Sequence, residues 1–179
     1  MSKSVSTKVI VPCRFSYLHC WEPGSVNGSE PKYSVSAIIP KSDKKTIAAI
    51  NAAIDQAKKD SVSKWGGKVP ANLKLPLRDG DIDRPDDEAY KDAYFFNANS
   101  RQAPQVVDAH VQPILDQSEV YSGCYGKISV TFYGYNSNGN RGIAAGLGNI
   151  QKLRDGESLG GRSTAAEDFE TEEDDDFLS

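Results

Sequence analysis

The chain has 179 residues, 38% of them hydrophobic, and 25 acids against 21 bases give a formal net charge of −4. That length suffices for one domain with a real core, and the absence of any run of 18 apolar residues excludes a transmembrane helix. Three cysteines without a CxxC pair exclude a disulfide framework, and the opening Met1-Ser2-Lys3-Ser4-Val5-Ser6 has no apolar signal-peptide core, so a cytoplasmic protein with buried, reduced thiols is expected.

Val5 to Leu18 reads as a strand in which Val9, Val11, Cys13, Phe15 and Tyr17 share one face. Pro12 within it suggests an edge or a bulge. Residues 22–31 are turn chemistry throughout, and a second strand follows, with Tyr33, Val35, Ala37 and Ile39 on one side until Pro40 ends it. The period then changes. Ser42 suits an N-cap, and Ile47, Ile50, Ile54 and Ala57 follow the 3–4 spacing of an amphipathic helix over 43–60. Trp65-Gly-Gly is a loop, and 75–88 is polar and irregular. Ala93 to Asn99 is a third strand, 104–107 a short fourth, and Glu119 to Tyr135 the clearest of all. In this last one Cys124, Ile128, Val130 and Phe132 form an inner face, and Lys127, Ser129, Thr131, Tyr133 and Tyr135 an outer one. Asn138-Gly139 marks a hairpin turn into a returning strand over 141–150. Its glycines imply tight curvature or close backbone approach. The expected fold class is mainly β: a small antiparallel OB-like barrel with one inserted amphipathic helix, domain 1–160, followed by a disordered C-terminal tail, 161–179.

The tail accounts for the charge. Residues 165–179 hold eight acids and no base, leaving 17 acids against 21 bases in the rest, so a body of +4 carries a tail of −8. Such a block stays solvated and is placed to compete with an anionic ligand for the body. It ends in Asp174-Asp175-Asp176-Phe177-Leu178. An apolar tip behind acids is suited to docking in a basic-rimmed pocket of a partner.

The aromatic set is the other signal. Tyr94, Phe95 and Phe96 are consecutive, so at least one ring should leave the core. Tyr133 and Tyr135 sit on an outer face with Tyr121, Tyr125 and Lys127. Rings on a sheet surface stack bases at roughly 1–3 kcal/mol each, while cations such as Arg14, Lys32, Lys68, Lys74, Arg78, Arg101, Lys127 and Arg141 hold phosphates. The competing reading is that tyrosines fill amphipathic cross-strand positions with no ligand. Asp79, Asp81 and Asp83 have the opening spacing of a calcium loop, but Arg84 and Tyr90 occupy the positions that require Gly and Glu. A metal-dependent nuclease site built on Asp79 to Asp87 is the enzymatic alternative. A solvated loop is the simpler one. Cys13, His19 and Cys20 match no structural zinc spacing. The sequence offers no coherent catalytic set, no cofactor motif and no metal site, and a protein-binding adaptor is the third reading.

The motifs Pro76-Leu-Arg-Asp-Gly-Asp81, Tyr94-Phe-Phe-Asn-Ala-Asn-Ser100, Val120-Tyr-Ser-Gly-Cys-Tyr-Gly126 and Tyr133-Gly-Tyr-Asn-Ser-Asn-Gly-Asn-Arg-Gly-Ile143, with the acidic tail, resemble the single-stranded-DNA-binding proteins of tailed phages. The resemblance spans roughly 8–160 and the tail. The tail departs from the bacterial form, which ends in Phe after Pro. What the resemblance implies is a non-catalytic OB-fold protein that coats DNA strands during phage replication and recombination in the cytoplasm of an infected bacterium. Its tail would recruit replication and recombination proteins through Asp174, Asp175, Asp176 and Phe177 and compete with DNA. The DNA-binding groove then maps onto Arg14, Lys32, Lys74, Arg78, Tyr94, Phe96, Arg101, Tyr121, Lys127, Tyr133, Tyr135 and Arg141. The oligomeric state stays open, a homodimer included.

Overall fold

Strand alternation in this chain closes on itself. The computed structural model describes residues 6–24, 30–137 and 139–159. Among them β1 (Lys8–Gly24), β2 (Lys32–Pro40), β4 (Ala93–Ser100), β6 (Tyr125–Ser137) and β7 (Asn140–Arg154) form a five-stranded barrel. The two-residue strands β3 (Arg78–Asp79) and β5 (Val106–Val107) are added at its margins. β1 pairs antiparallel with β2 and β6, β2 with β4, and β6 with β7. A parallel seam, Ala98 opposite Ala145 and Asn99 opposite Gly146, joins β4 to β7 and closes the ring. This strand order is that of the expected OB-like barrel.

The inward faces supply the core: Val11, Cys13 and Phe15 from β1, Val35, Ala37 and Ile39 from β2, Phe96 and Ala98 from β4. Ile128, Val130 and Phe132 come from β6, and Ile143, Ala145, Leu147 and Ile150 from β7. Helix α1 (Lys44–Asp60) lays Ile50, Ala53, Ile54 and Ala57 on the same core and packs against β1, β6 and β7. Its N-cap is Asp43, one residue after the expected Ser42; the carboxylate accepts from the Thr46 amide at 3.3 Å and hydroxyl at 2.7 Å. A carboxylate cap also meets the positive end of the helix dipole, which a serine does not. Lys58 and Lys59 complement the other end.

Between α1 and the expected loop at Trp65-Gly66-Gly67, the chain forms a 3-10 turn, Val62–Trp65, and locks to the barrel. The Trp65 indole donates to the Tyr135 carbonyl at 2.9 Å, and Lys64 donates to the Gly134 carbonyl at 2.9 Å. Helix α2 (Gly80–Asp83) is a single turn. Neither helix is long and apolar enough to cross a membrane. Pro12 lies where β1 pairs with β6 only, since the recorded β1–β2 ladder begins at Arg14, so its missing amide costs no bond. The bulge falls later, between Ser16 and His19. The expected tail disorder and the boundary near 160 lie outside the described residues.

Cys13 and Cys20, on β1, and Cys124, just before β6, are all buried. Burial pushes the Cys20 thiol up to about 12 and the Cys13 thiol higher still. Thiolates are the reactive form, so both stay protonated and inert at neutral pH. The native protein is expected to react with a disulfide reagent such as DTNB many times more slowly at pH 8 than the same protein in denaturant, where all three thiols should titrate.

Candidate nucleic-acid interface

The outer surface of the β6–β7 hairpin gathers three of the twelve expected residues, Tyr133, Tyr135 and Lys74. Tyr133 stands opposite Ala144, and Tyr135 opposite Gly142. Tyr133 is 43% exposed. A Cβ on Gly142 would lie 2.6 Å from the Tyr135 hydroxyl and 2.7 Å from the Lys74 carbonyl, so the tyrosine and the Lys74 backbone can both close on this strand only because the position is glycine. Lys74 is fixed beside it: its amide donates to the Arg141 carbonyl at 3.0 Å, and its ammonium reaches the Asn140 side chain at 3.4 Å. Two rings and the Lys74 ammonium thus share this face of the hairpin, whose turn has Gly139 at φ 84°, while Arg141, paired with Asn136, has the opposite parity and is corrected to the other face. Across the parallel seam lie Asn97, which is exposed, and Asn99, on the outer side of β4.

The rings of β4 are placed differently. Phe96 is fully buried inside the barrel, its ring centroid 5.6 Å from that of Phe132. It cannot stack a base, and its assignment to the groove is corrected. Phe95 is the ring that turns outward, yet it too is covered. Residues 80–92 fold back over it, and Tyr90 meets it edge-on at 4.9 Å. Ile38, Tyr90, Ala93 and Phe95 form a small second core there. The Tyr90 hydroxyl bonds to Ser36 at 2.9 Å, and burial keeps that hydroxyl protonated above its ordinary range. Tyr94 is half-buried near Ile47, Ile54, Leu75 and Leu77, with the Lys41 ammonium 5.3 Å from its ring.

The remaining expected residues spread out. Arg78 is exposed on β3 opposite Phe95. Lys32 begins β2, and Arg101 follows β4 with an ion pair to Glu30 at 3.1 Å. Lys127 lies toward the other end of β6, between Pro12 and Gln151. Tyr121 is half-buried against the core, and its hydroxyl donates to the Gly156 carbonyl at 2.9 Å.

Arg14 leads to a feature the sequence reading only touched. A cleft of about 810 Å³ runs over β1, the end of β2, β6 and β7, bordered by Arg14, Lys41, Lys91, Tyr125 and Arg154, with Asp43 and Asp92 also on its rim. Tyr125 has the Arg154 guanidinium 4.3 Å from its ring centroid and that of Arg14 at 5.2 Å. Arg14 is held by carbonyls rather than carboxylates, Gly123 at 3.1 Å and Glu157 at 2.8 Å, so its charge is not neutralised by that bonding. Arg154 escaped notice because β7 runs four residues past the expected end at Ile150. The outward parity of Tyr125 was the signal that could have found the cleft.

The acidic loop is tied down by its own protein. Lys41 contacts Asp79 at 2.9 Å and Asp81 at 2.8 Å. Asp79 caps α2, Asp81 also accepts from the Asp92 amide, and Asp87 caps the turn Glu88–Tyr90. The Lys41 bond, then the Asp92 amide, hold the Asp81 carboxyl below its ordinary range. These carboxylates pin the segment that covers Phe95.

A closed barrel of OB connectivity, with rings and cations on its outer surface, defines an oligonucleotide-binding class of fold. The chain belongs to the family described as the ssDNA-binding protein of Enterobacter phage Enc34, whose model matches residues 5–178. It is 32% identical over 169 residues to protein p50 of Acyrthosiphon pisum secondary endosymbiont phage 1, covering 88% of this chain and 89% of that one. Among solved structures it is similar to the single-stranded DNA-binding protein of bacteriophage Enc34 in complex with ssDNA. That match has a TM-score of 0.72 and 26% identity, over 89% of this chain and 97% of the other. The fold alone also matches gp2.5, a single-stranded DNA-binding protein of bacteriophage T7, with a TM-score of 0.61 and 14% identity over 94% of this chain and 100% of that one.

Proposed function

We propose that this chain is a non-catalytic protein that binds single-stranded DNA with little sequence preference along the outside of its barrel. The observation that carries the reading is the pairing of outward rings with cations on that surface, Tyr133 and Tyr135 beside Lys74, and Tyr125 beneath Arg14 and Arg154. Stacking on rings is indifferent to base identity, and backbone charge is the same for every sequence, so such a surface tracks a strand rather than reading it. Protection of strands exposed in phage replication and recombination, in the host cytoplasm, is the role that follows.

The acidic tail acts in the same reading as competitor and recruiter. The last described residue, Leu159, packs beside Ile38, Tyr90, Ala93 and Phe95, and Glu157 lies on Arg14 at the cleft. The described chain therefore ends next to the cations, and in this reading Asp174, Asp175, Asp176 and Phe177 serve replication and recombination proteins. Titrating dT oligonucleotides of several lengths into the full chain and into residues 1–164 tests both parts. Both should bind, the shorter chain more tightly, and log K should fall by about 0.7 per neutralised phosphate for each unit of log salt concentration. No binding by residues 1–164 at low salt would sink the reading.

A further inference from the structure

The bulge in β1 puts a ring where alternation forbids it. Val11, Cys13 and Phe15 face the core, so position 17 should as well. Instead the β1–β2 register shifts between the Ser16–Ser36 and His19–Ser34 pairs, and Tyr17 takes φ 46° and is 54% exposed. Bulges re-aim side chains, and a left-handed backbone at a bulky residue is uncommon because it is strained. A glycine would make this turn without strain, and an inward tyrosine would bury its ring. The fold does neither: a strained backbone holds the ring at the surface.

Arg84 fixes that ring. Its guanidinium carbon lies 5.1 Å from the Tyr17 centroid, 5.3 Å from Tyr90 and 5.7 Å from Phe95, and Nη1 donates to the Tyr17 hydroxyl at 3.4 Å. Among the described residues it has no carboxylate within ion-pair distance, although Asp83, Asp86, Asp87 and Glu88 border it on its own loop. That acidic border makes Arg84 a poor phosphate ligand. Its geometry is that of a positioning residue, clamped by two buried rings and pressing on the third. With one face of Tyr17 toward the guanidinium, an exposure of 54% leaves the other open. The ring lies between the rows Ser16–Ser36–Asn97 and His19–Ser34–Asn99, on the β2–β4 side of the barrel, the side through which OB folds take oligonucleotides.

We propose that Tyr17 is a preset base-stacking platform, held in register by Arg84. The proposal rests on the single-stranded-DNA reading above. In anisotropy titrations of the full chain with a dT oligonucleotide, Tyr17→Ala should weaken binding about 5- to 100-fold, the effect of losing one stacked base. Tyr17→Phe should stay within about twofold. Because no phosphate contact is lost, the salt slope should not change. Tyr17→Gly should bind as weakly as Tyr17→Ala while melting at or above the wild-type temperature, since glycine relieves the strain. Arg84→Gln should weaken wild type but add little in the Tyr17→Ala background, the coupling expected of a positioning residue. Wild-type affinity in Tyr17→Gly, or a lowered melting temperature with unchanged affinity in Tyr17→Ala, would overturn the proposal. Failure of the wild type to bind would instead overturn the reading beneath it.

Discussion

Phe96→Ala is expected to lower the unfolding free energy by about 3–5 kcal/mol, the cost of truncating a fully buried aromatic whose cavity cannot collapse. Phe96 sits at the middle of β4, with β2 on one side and the seam to β7 two residues on, so backbone pairing holds both walls of the cavity apart. Its ring tilts at 59° to that of Phe132 from the facing strand, and that contact is lost too. Urea unfolding should show the midpoint shifting with an unchanged slope, because the surface exposed on unfolding barely changes. The folded fraction should bind dT oligonucleotides as the wild type does. A variant with wild-type stability and weakened binding would restore Phe96 to the groove and contradict its burial.

The fate of Tyr94, Phe95 and Phe96 shows how far local pattern reaches. Alternation correctly sends Phe95 away from the barrel interior, and alternation alone would leave that ring exposed. What covers Phe95 is Tyr90, five residues earlier, brought back by Asp81 on Lys41 and on the Asp92 amide. That contact joins residues 40 apart and has no periodic signature. β6 is the opposite case. Its two faces are set by parity alone, so Ile128, Val130 and Phe132 inward and Tyr133 and Tyr135 outward were legible in the sequence. The helix was equally legible from its 3–4 spacing, apart from its cap. Alternation places Tyr17 on one face with Val9 to Phe15, because a bulge announced by no glycine or proline at its own position cannot be told from regular strand. The cleft at Tyr125 needed the extra turn of register that carries β7 to Arg154.

Replacing Tyr133 and Tyr135 together by Ala is expected to weaken dT binding by about 30-fold to about 10⁴-fold, two stacked bases at roughly 1–3 kcal/mol each. The two rings point to the same outer face, two residues apart on β6, which spaces them about 6.6 Å along the strand. Neighbouring bases of an extended single strand can therefore meet successive rings while Lys74 takes the backbone between them. Neither ring fills the barrel core, so the double variant should melt within a few degrees of wild type. That separates it from Phe96→Ala, where stability falls and intrinsic affinity does not. Lys74→Gln is the complement: it removes a phosphate contact but no stacking surface, and should lower the salt slope by about 0.7 with a uniform loss across base compositions. If the tyrosine pair proves silent and Tyr125→Ala instead carries the loss, the strand runs through the cleft of Arg14 and Arg154, and the hairpin rings serve packing alone.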